Sequence, residues 1–199
     1  TDPEVRALAE VVEAAGRAKG LKGKPLRNYM RDRGAGPAVE CYDVPDDAYK
    51  DGAIANRGVE QLDQLKDSEQ PFFLAVGFLK PHLPFVAPKK YWDLYDRASL
   101  PLAPFQHAPN GAPGCAIADY VEARTYGGVP ADGTISSTTQ RELIHGYLAC
   151  VSYVDAQIGK LIAKLKETGQ YEDTVIVLWG DHGFHLGDKH LFGKHTNYE

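Results

Sequence analysis

Two short runs of this chain, PFFLAVGF at 71–78 and TVIVLW at 174–179, carry scarcely any polar residue. A strand with one wet face alternates apolar and polar side chains. Runs without alternation predict strands covered on both faces, as in parallel sheets flanked by helices. Each run also follows a stretch of helical spacing. Ile54, Val59, Leu62 and Leu65 predict a helix from about Asp51 to Lys66. Before the second run, Ser137 to Gln140 reads as a capping box. The stripe Leu143, Ile144, Tyr147, Leu148, Val151, Val154, Ile158, Leu161, Ile162 and Leu165 then continues to a stop at Gly169. Helix, strand, loop, helix, strand predicts an α/β fold with a largely parallel sheet.

The remaining segments are less regular. Asp2-Pro3 reads as a helix start, with Val5, Leu8, Val12 and Ala15 at helical spacing and Gly20 as a stop. Residues 21–50 read as loop. The stretch 81–136 has prolines at 81, 84, 88, 101, 104, 109, 113 and 130 and predicts a long irregular excursion with a short helix at Lys89–Tyr95.

Charge and cysteine content exclude several classes. A net charge of −5 gives no broad basic field for nucleic acid or an anionic membrane. No apolar run reaches the 18 residues or so of a membrane-spanning helix, and no signal-peptide pattern is visible. Cys41, Cys115 and Cys150 are odd in number and widely spaced, which predicts unpaired thiols rather than a disulfide framework or a zinc site.

In open α/β sheets, ligands bind beyond the carboxyl ends of the strands. Both runs deliver polar residues there. The first leads into LKPHLPF, with Lys80 and His82 held between Pro81 and Pro84; the second leads into GDHGFHLG. Gly180 and Gly183 let the backbone turn so that Asp181 and His182 can converge on one ion. The carboxylate suits a hard cation such as Ca²⁺ or Mg²⁺, while the imidazole points toward a transition metal. Lys194, thirteen residues on, together with a histidine and a cation, would make a pocket for a tetrahedral oxyanion. Each residue also has a plainer reading. Asp181 alone would be a helix cap, His82 a packed or surface histidine, and Lys189 and Lys194 solvated charges. His182, His185, His190 and His195 together would suggest zinc, but their spacing fits no common zinc pattern. It is the coincidence of two strand-end clusters that favours a site.

PFFLAVGFLKPHLPF, followed about a hundred residues later by DHGFHLGDKHLFGKHTNYE, resembles the sulfatases of the alkaline-phosphatase-like superfamily, and within them the iduronate-2-sulfatase group. The helix YLACVSYVDAQIGKLIAKLKETG and the run DTVIVLWGDHG fit the same family. The resemblance covers 43–199; residues 1–42 add little to it. It implies an alkaline-phosphatase-like sandwich with a central, largely parallel sheet flanked by helices, of which 1–199 would be one part of a catalytic domain. It implies hydrolysis of sulfate esters on a carbohydrate such as a glycosaminoglycan, by a formylglycine made in a C/S-x-P-x-R motif. It implies Ca²⁺, with Mg²⁺ a poorer fit, held by Asp181 and His182 among other ligands. His82 and Lys194 would contact the sulfate, His82 near the leaving-group oxygen, with Lys80 in support. A periplasmic, secreted or lysosomal location would go with it.

No C/S-x-P-x-R occurs in this sequence. The expectation is therefore an interior slice of a larger hydrolase, inactive alone, with the remainder of its own domain as partner. Two other readings are open. One is a phosphodiesterase or phosphonate hydrolase of the same superfamily; the other is a non-catalytic module that binds anions or sugars.

Overall fold

The computed structural model describes residues 3–33, 36–116 and 121–195. In chain order the helices are α1 (Pro3–Ala18), α2 (Gly23–Arg31), α3 (Lys50–Leu65), α4 (Lys89–Trp92) and α5 (Ser137–Glu167). The strands are β1 (Val39–Tyr42), β2 (Phe85–Pro88), β3 (His185–Leu186) and β4 (Phe192–Gly193). β1 neighbours β2 in one two-stranded sheet and β3 neighbours β4 in another. None of the described helices is long and apolar enough to cross a membrane. The chain divides into two compact units, residues 1–40, 96–145 and 181–199 forming one and residues 41–95 and 146–180 the other.

In the first unit α1 begins at Pro3, where a missing N–H costs nothing; the expected cap, Asp2, lies outside the described residues. Val12 is buried, whereas Leu8 is exposed. α2 was not expected. The sequence reads as loop over 21–50 because Gly23 and Pro25 break the pattern, yet Pro25 falls in the first turn, where its lost N–H has no intrahelical partner. Leu26 anchors α2 by burial.

The start of α5 also differs from expectation. Ser136, not Ser137, caps it, its Oγ accepting from the Thr139 N–H at 3.1 Å. Gln140 does not reach back to a cap. It is buried, and its amide donates to Gln106 Oε1 and to the Ile135 carbonyl. A glutamine that finds buried acceptors leaves the capping box, and the serine one residue earlier takes the cap, worth about 1 kcal/mol. The other end is as the sequence predicts. Gly169 has φ +73°, and the N–H groups of Gly169 and Gln170 return to the carbonyls of Lys166 and Leu165. This is the doubly bonded helix stop that glycine permits.

In the second unit the two apolar runs lie outside the named strands, and no ladder of hydrogen bonds joins them. Nor are they covered on both faces. Phe72, Leu74, Val76 and Phe78 face α3 and α5 around an apolar cavity of about 190 Å³, which Val175–Leu178 also line. The alternate residue Phe73 is 93 % exposed, and Trp179 is 83 % exposed. The composition of the runs is that of two-sided burial; among the described residues only one side has helices against it.

The core of this unit lies where α3, α4, β2 and α5 meet, around Tyr153, Phe85 and Cys150, all fully buried. Truncating Phe85 to alanine would cost about 3–5 kcal/mol. A polar network crosses the same region. Asp46 accepts from Tyr91, Gln157, Lys90 and Lys160, while the Tyr153 hydroxyl donates to the Asp46 carbonyl and accepts from Gly52 N–H. A Cβ on Gly52 would lie 2.1 Å from the Asp46 carbonyl oxygen, so only glycine lets α3 start this close to the preceding turn.

Candidate active site

Lys80 and His82 belong to the second unit; Asp181, His182 and Lys194 belong to the first.

The first run ends at a buried carboxylate. Asp51, in the first turn of α3 and 2 % exposed, accepts from the backbone N–H groups of Leu79 at 2.8 Å and Lys80 at 3.0 Å. The Lys80 ammonium turns back on its own loop and donates to the carbonyls of His82 at 2.8 Å and Pro84 at 2.6 Å. Burial lowers the Lys80 pKa, and Cys150 and Asp51 offset part of that effect. Both prolyl bonds of the loop, Lys80-Pro81 and Leu83-Pro84, are cis. His82 Nδ1 stands 2.7 Å from the Leu83 carbonyl. A carbonyl only accepts, so Nδ1 carries the proton and the neutral ring has its lone pair on Nε2.

The second run ends at Gly180, and Asp181 and His182 follow side by side. His182 Nδ1 donates to the Gly183 carbonyl at 2.9 Å, and Nε2 lies 3.5 Å from Asp181 Oδ2. In the neutral ring this sets an imidazole lone pair beside a carboxylate oxygen. Such a pair is satisfied either by protonating the ring or by a cation that both atoms ligate. Asp181 is 84 % exposed, so a cation could reach it. The donors present fit part of a divalent site, two ligands of the roughly six to eight that Ca²⁺ takes. Among the described residues, no group of three or more His, Cys, Asp or Glu side chains gathers as a metal site.

Lys194 directly follows β4, which pairs with β3 in antiparallel register, His185 opposite Gly193 and Leu186 opposite Phe192. Buried Phe192 anchors the hairpin. Lys194 pairs with Glu122, Nζ to Oε2 at 3.3 Å, and both side chains are largely buried. Gly193 packs closely on Glu122: a Cβ there would sit 3.3 Å from the Glu122 nitrogen, tighter than ordinary contact.

The remaining histidines do not form the zinc cluster that their number allows. His190 meets His107, Nε2 to Nδ1 at 3.3 Å, across a turn in which Lys189 and His190 have φ of +51° and +62°. None of the three cysteines is in a disulfide, as expected. Burial pushes the Cys150 thiol up to about 12, which removes it as a nucleophile at neutral pH.

Sequence reasoning missed Asp51, Glu122 and His107. Asp51 had a readable signal, an acid at the start of a predicted helix, but its partners are residues 79 and 80. Glu122 and His107 lie in the proline-rich excursion, where no period marks which side chains turn inward.

The family model named Sulfatase matches residues 15–199. Human iduronate 2-sulfatase is 33 % identical over 173 residues, which cover 81 % of this chain and 30 % of that protein. A sulfatase of Formosa agariphila is 33 % identical over 203 residues, covering 94 % of this chain and 38 % of the relative. Among solved structures, the phosphonate monoester hydrolase of Silicibacter pomeroyi superposes with a TM-score of 0.61 at 30 % identity, over 78 % of this chain and 31 % of that one. The chain thus spans about a third of the length of the relatives it matches.

Proposed function

The chain belongs to the sulfatase family, and we propose that it forms part of the catalytic domain of a sulfuric ester hydrolase that removes sulfate from a sulfated carbohydrate. The observation that carries this reading is the Asp181–His182 pair at the end of an apolar run, a carboxylate and an imidazole 3.5 Å apart with the ring's other nitrogen tied to a carbonyl. Such a pair suits two neighbouring ligands of one divalent ion, the second oriented by its outer hydrogen bond. The likeness to human iduronate 2-sulfatase supports a sulfated saccharide as substrate.

In this reading Asp181 and His182 hold Ca²⁺ together with ligands from the remainder of the domain. When bound, the ion would offset the charge of the sulfate. Lys194 contributes a second positive charge to the same anion. His82 manages the leaving-group proton. Its Nδ1–H is committed to Leu83, so Nε2 is the exchanging nitrogen: the doubly protonated ring passes its Nε2 proton to the leaving-group oxygen and returns to the neutral Nδ1–H form. The nucleophile, a formylglycine, would come from a C/S-x-P-x-R motif, which does not occur among Cys41, Cys115, Cys150 and their neighbours.

A second reading is phosphonate or phosphate diester hydrolysis, favoured by the superposition on the phosphonate monoester hydrolase. Assay of the full-length enzyme separates the two. We expect turnover of a sulfated disaccharide and an aryl sulfate, lost on chelation and restored by Ca²⁺. Turnover of aryl phosphonates with none of sulfates would overturn the sulfatase reading.

A further inference from the structure

The loop carrying His82 is held from two sides by charged groups that point at backbone rather than outward. Asp51 takes both N–H groups at the entry, those of Leu79 and Lys80. Lys80 spans the loop and takes two of its carbonyls, those of His82 and Pro84. Leu83 and Phe85 fix the exit by burial, at 4 % and 0 % exposure. Between these anchors the His82 ring is fastened at Nδ1 to the Leu83 carbonyl, the peptide next to the one Lys80 grips. A lysine that contacted a substrate anion would present its ammonium to open space. This one uses two of its three donors on main-chain oxygens inside the loop.

We infer that Asp51 and Lys80 are positioning residues, which set the place and tautomer of His82, and that Lys80 is not a ligand of the substrate anion. The inference rests on the reading of His82 as the group that handles the leaving-group proton. Without the ammonium, the His82 and Pro84 carbonyls lose their common donor, and the Leu83 carbonyl between them is no longer fixed. The ring is then free to adopt the Nε2-protonated tautomer that imidazole favours in water. A proton carrier displaced by an ångström or held in the wrong tautomer loses rate rather than affinity.

The test compares Lys80→Met and Asp51→Asn with the wild type in the full-length enzyme. For Lys80→Met we expect kcat to fall about 10- to 100-fold while inhibition by inorganic sulfate changes less than about threefold. In a His82→Ala background the same substitution should cost little more, because it acts through His82. Weakening of sulfate inhibition by about tenfold or more, with an undiminished loss in the His82→Ala background, would make Lys80 an anion ligand and overturn the inference. A second readout does not need the reaction. In ¹⁵N-histidine NMR, the His82 ring, identified by its absence in His82→Ala, should show the Nδ1-protonated form in the wild type. In both variants it should shift toward the Nε2-protonated form. If the enzyme turned over no sulfate ester, the hydrolase reading would fail and the tautomer measurement would still decide the positioning. An unchanged His82 tautomer in both variants would refute it. Should Lys80→Met not fold, Lys80→Gln, which keeps a donor for one carbonyl, carries the same measurements.

Discussion

Lys194 Nζ lies 3.3 Å from Glu122 Oε2, with the two side chains only 16 % and 12 % exposed. The lysine proposed to meet the substrate sulfate therefore already has an anionic partner. Gly193, next to Lys194, packs closely on Glu122, where a Cβ would lie 3.3 Å from the backbone nitrogen. Glu122 holds the ammonium in place and also reduces the positive field that a sulfate would meet.

Glu122→Gln keeps the shape and one acceptor but removes the charge. In the full-length enzyme we expect inorganic sulfate to inhibit about 3- to 10-fold more tightly, because a partly buried carboxylate no longer competes for Lys194. Steady-state inhibition at constant ionic strength measures this. Unchanged or weaker inhibition would mean that Glu122 matters only for placing the lysine.

The metal proposal makes a separate prediction. Asp181 is the one carboxylate in the Asp181–His182 pair, and its loss leaves a divalent ion with an imidazole and no charge compensation from this segment. Asp181→Ala in the full-length enzyme should abolish tight Ca²⁺ binding in a calorimetric titration. Turnover should go with it and should not return on adding excess Ca²⁺. An unaltered calcium isotherm would remove Asp181 from the ligand set.

How much of this could be read from residues alone depends on the range of the forces involved. α3, α5 and the Gly169 stop were legible, because helical period and end chemistry are local. The adjacency of Asp181 and His182 was legible for the same reason. α2 was not, since a glycine and a proline at its start look like a turn until Leu26 is seen to be buried. The capping box at Ser137 was misplaced by one residue because Gln140 has buried acceptors in Gln106 and Ile135, and Gln106 is 34 residues away. The partners of Asp51 and Glu122 were beyond reach, since they lie 28 and 72 residues off. Burial on both faces of the apolar runs was read from their composition, and composition does not say which segment supplies each face.

The network at Asp46 predicts a response to acid. Burial alone would raise this carboxyl, but Lys90, Lys160, Gln157 and Tyr91 outweigh it and bring the pKa from 3.8 down to about 2. The folded value is depressed, so the stabilisation is complete above about 3.8 and is lost as pH falls through about 2. Lys90 is 60 % exposed, so solvent screens part of the gain and leaves on the order of 1–2 kcal/mol. Asp46→Asn should therefore lower the urea midpoint near neutral pH, and the gap should close as pH falls toward 2. A gap that stayed constant down to pH 2 would place its origin in hydrogen bonding or packing rather than in charge.

The last prediction concerns the 199-residue chain by itself. Phe73, Val175, Val177, Leu178 and Trp179 are 93 %, 91 %, 75 %, 73 % and 83 % exposed, and all belong to one unit. The runs that carry them have backbone groups outside any ladder. Large apolar side chains exposed in such number are rarely left open on a monomer, and backbone outside a ladder recruits further strands. Purified alone, this chain should self-associate in size-exclusion chromatography with light scattering, and it should not turn over an aryl sulfate. Replacing Val177 and Trp179 by lysine should shift it toward monomer, since two charges on the face oppose both sheet extension and apolar stacking. In the full-length enzyme the same pair of substitutions should instead destabilise, by several kcal/mol if the remainder of the domain buries both side chains. Two outcomes would count against a face that is covered in the longer protein: a monodisperse, monomeric wild-type segment, or a full-length double variant as stable as its parent.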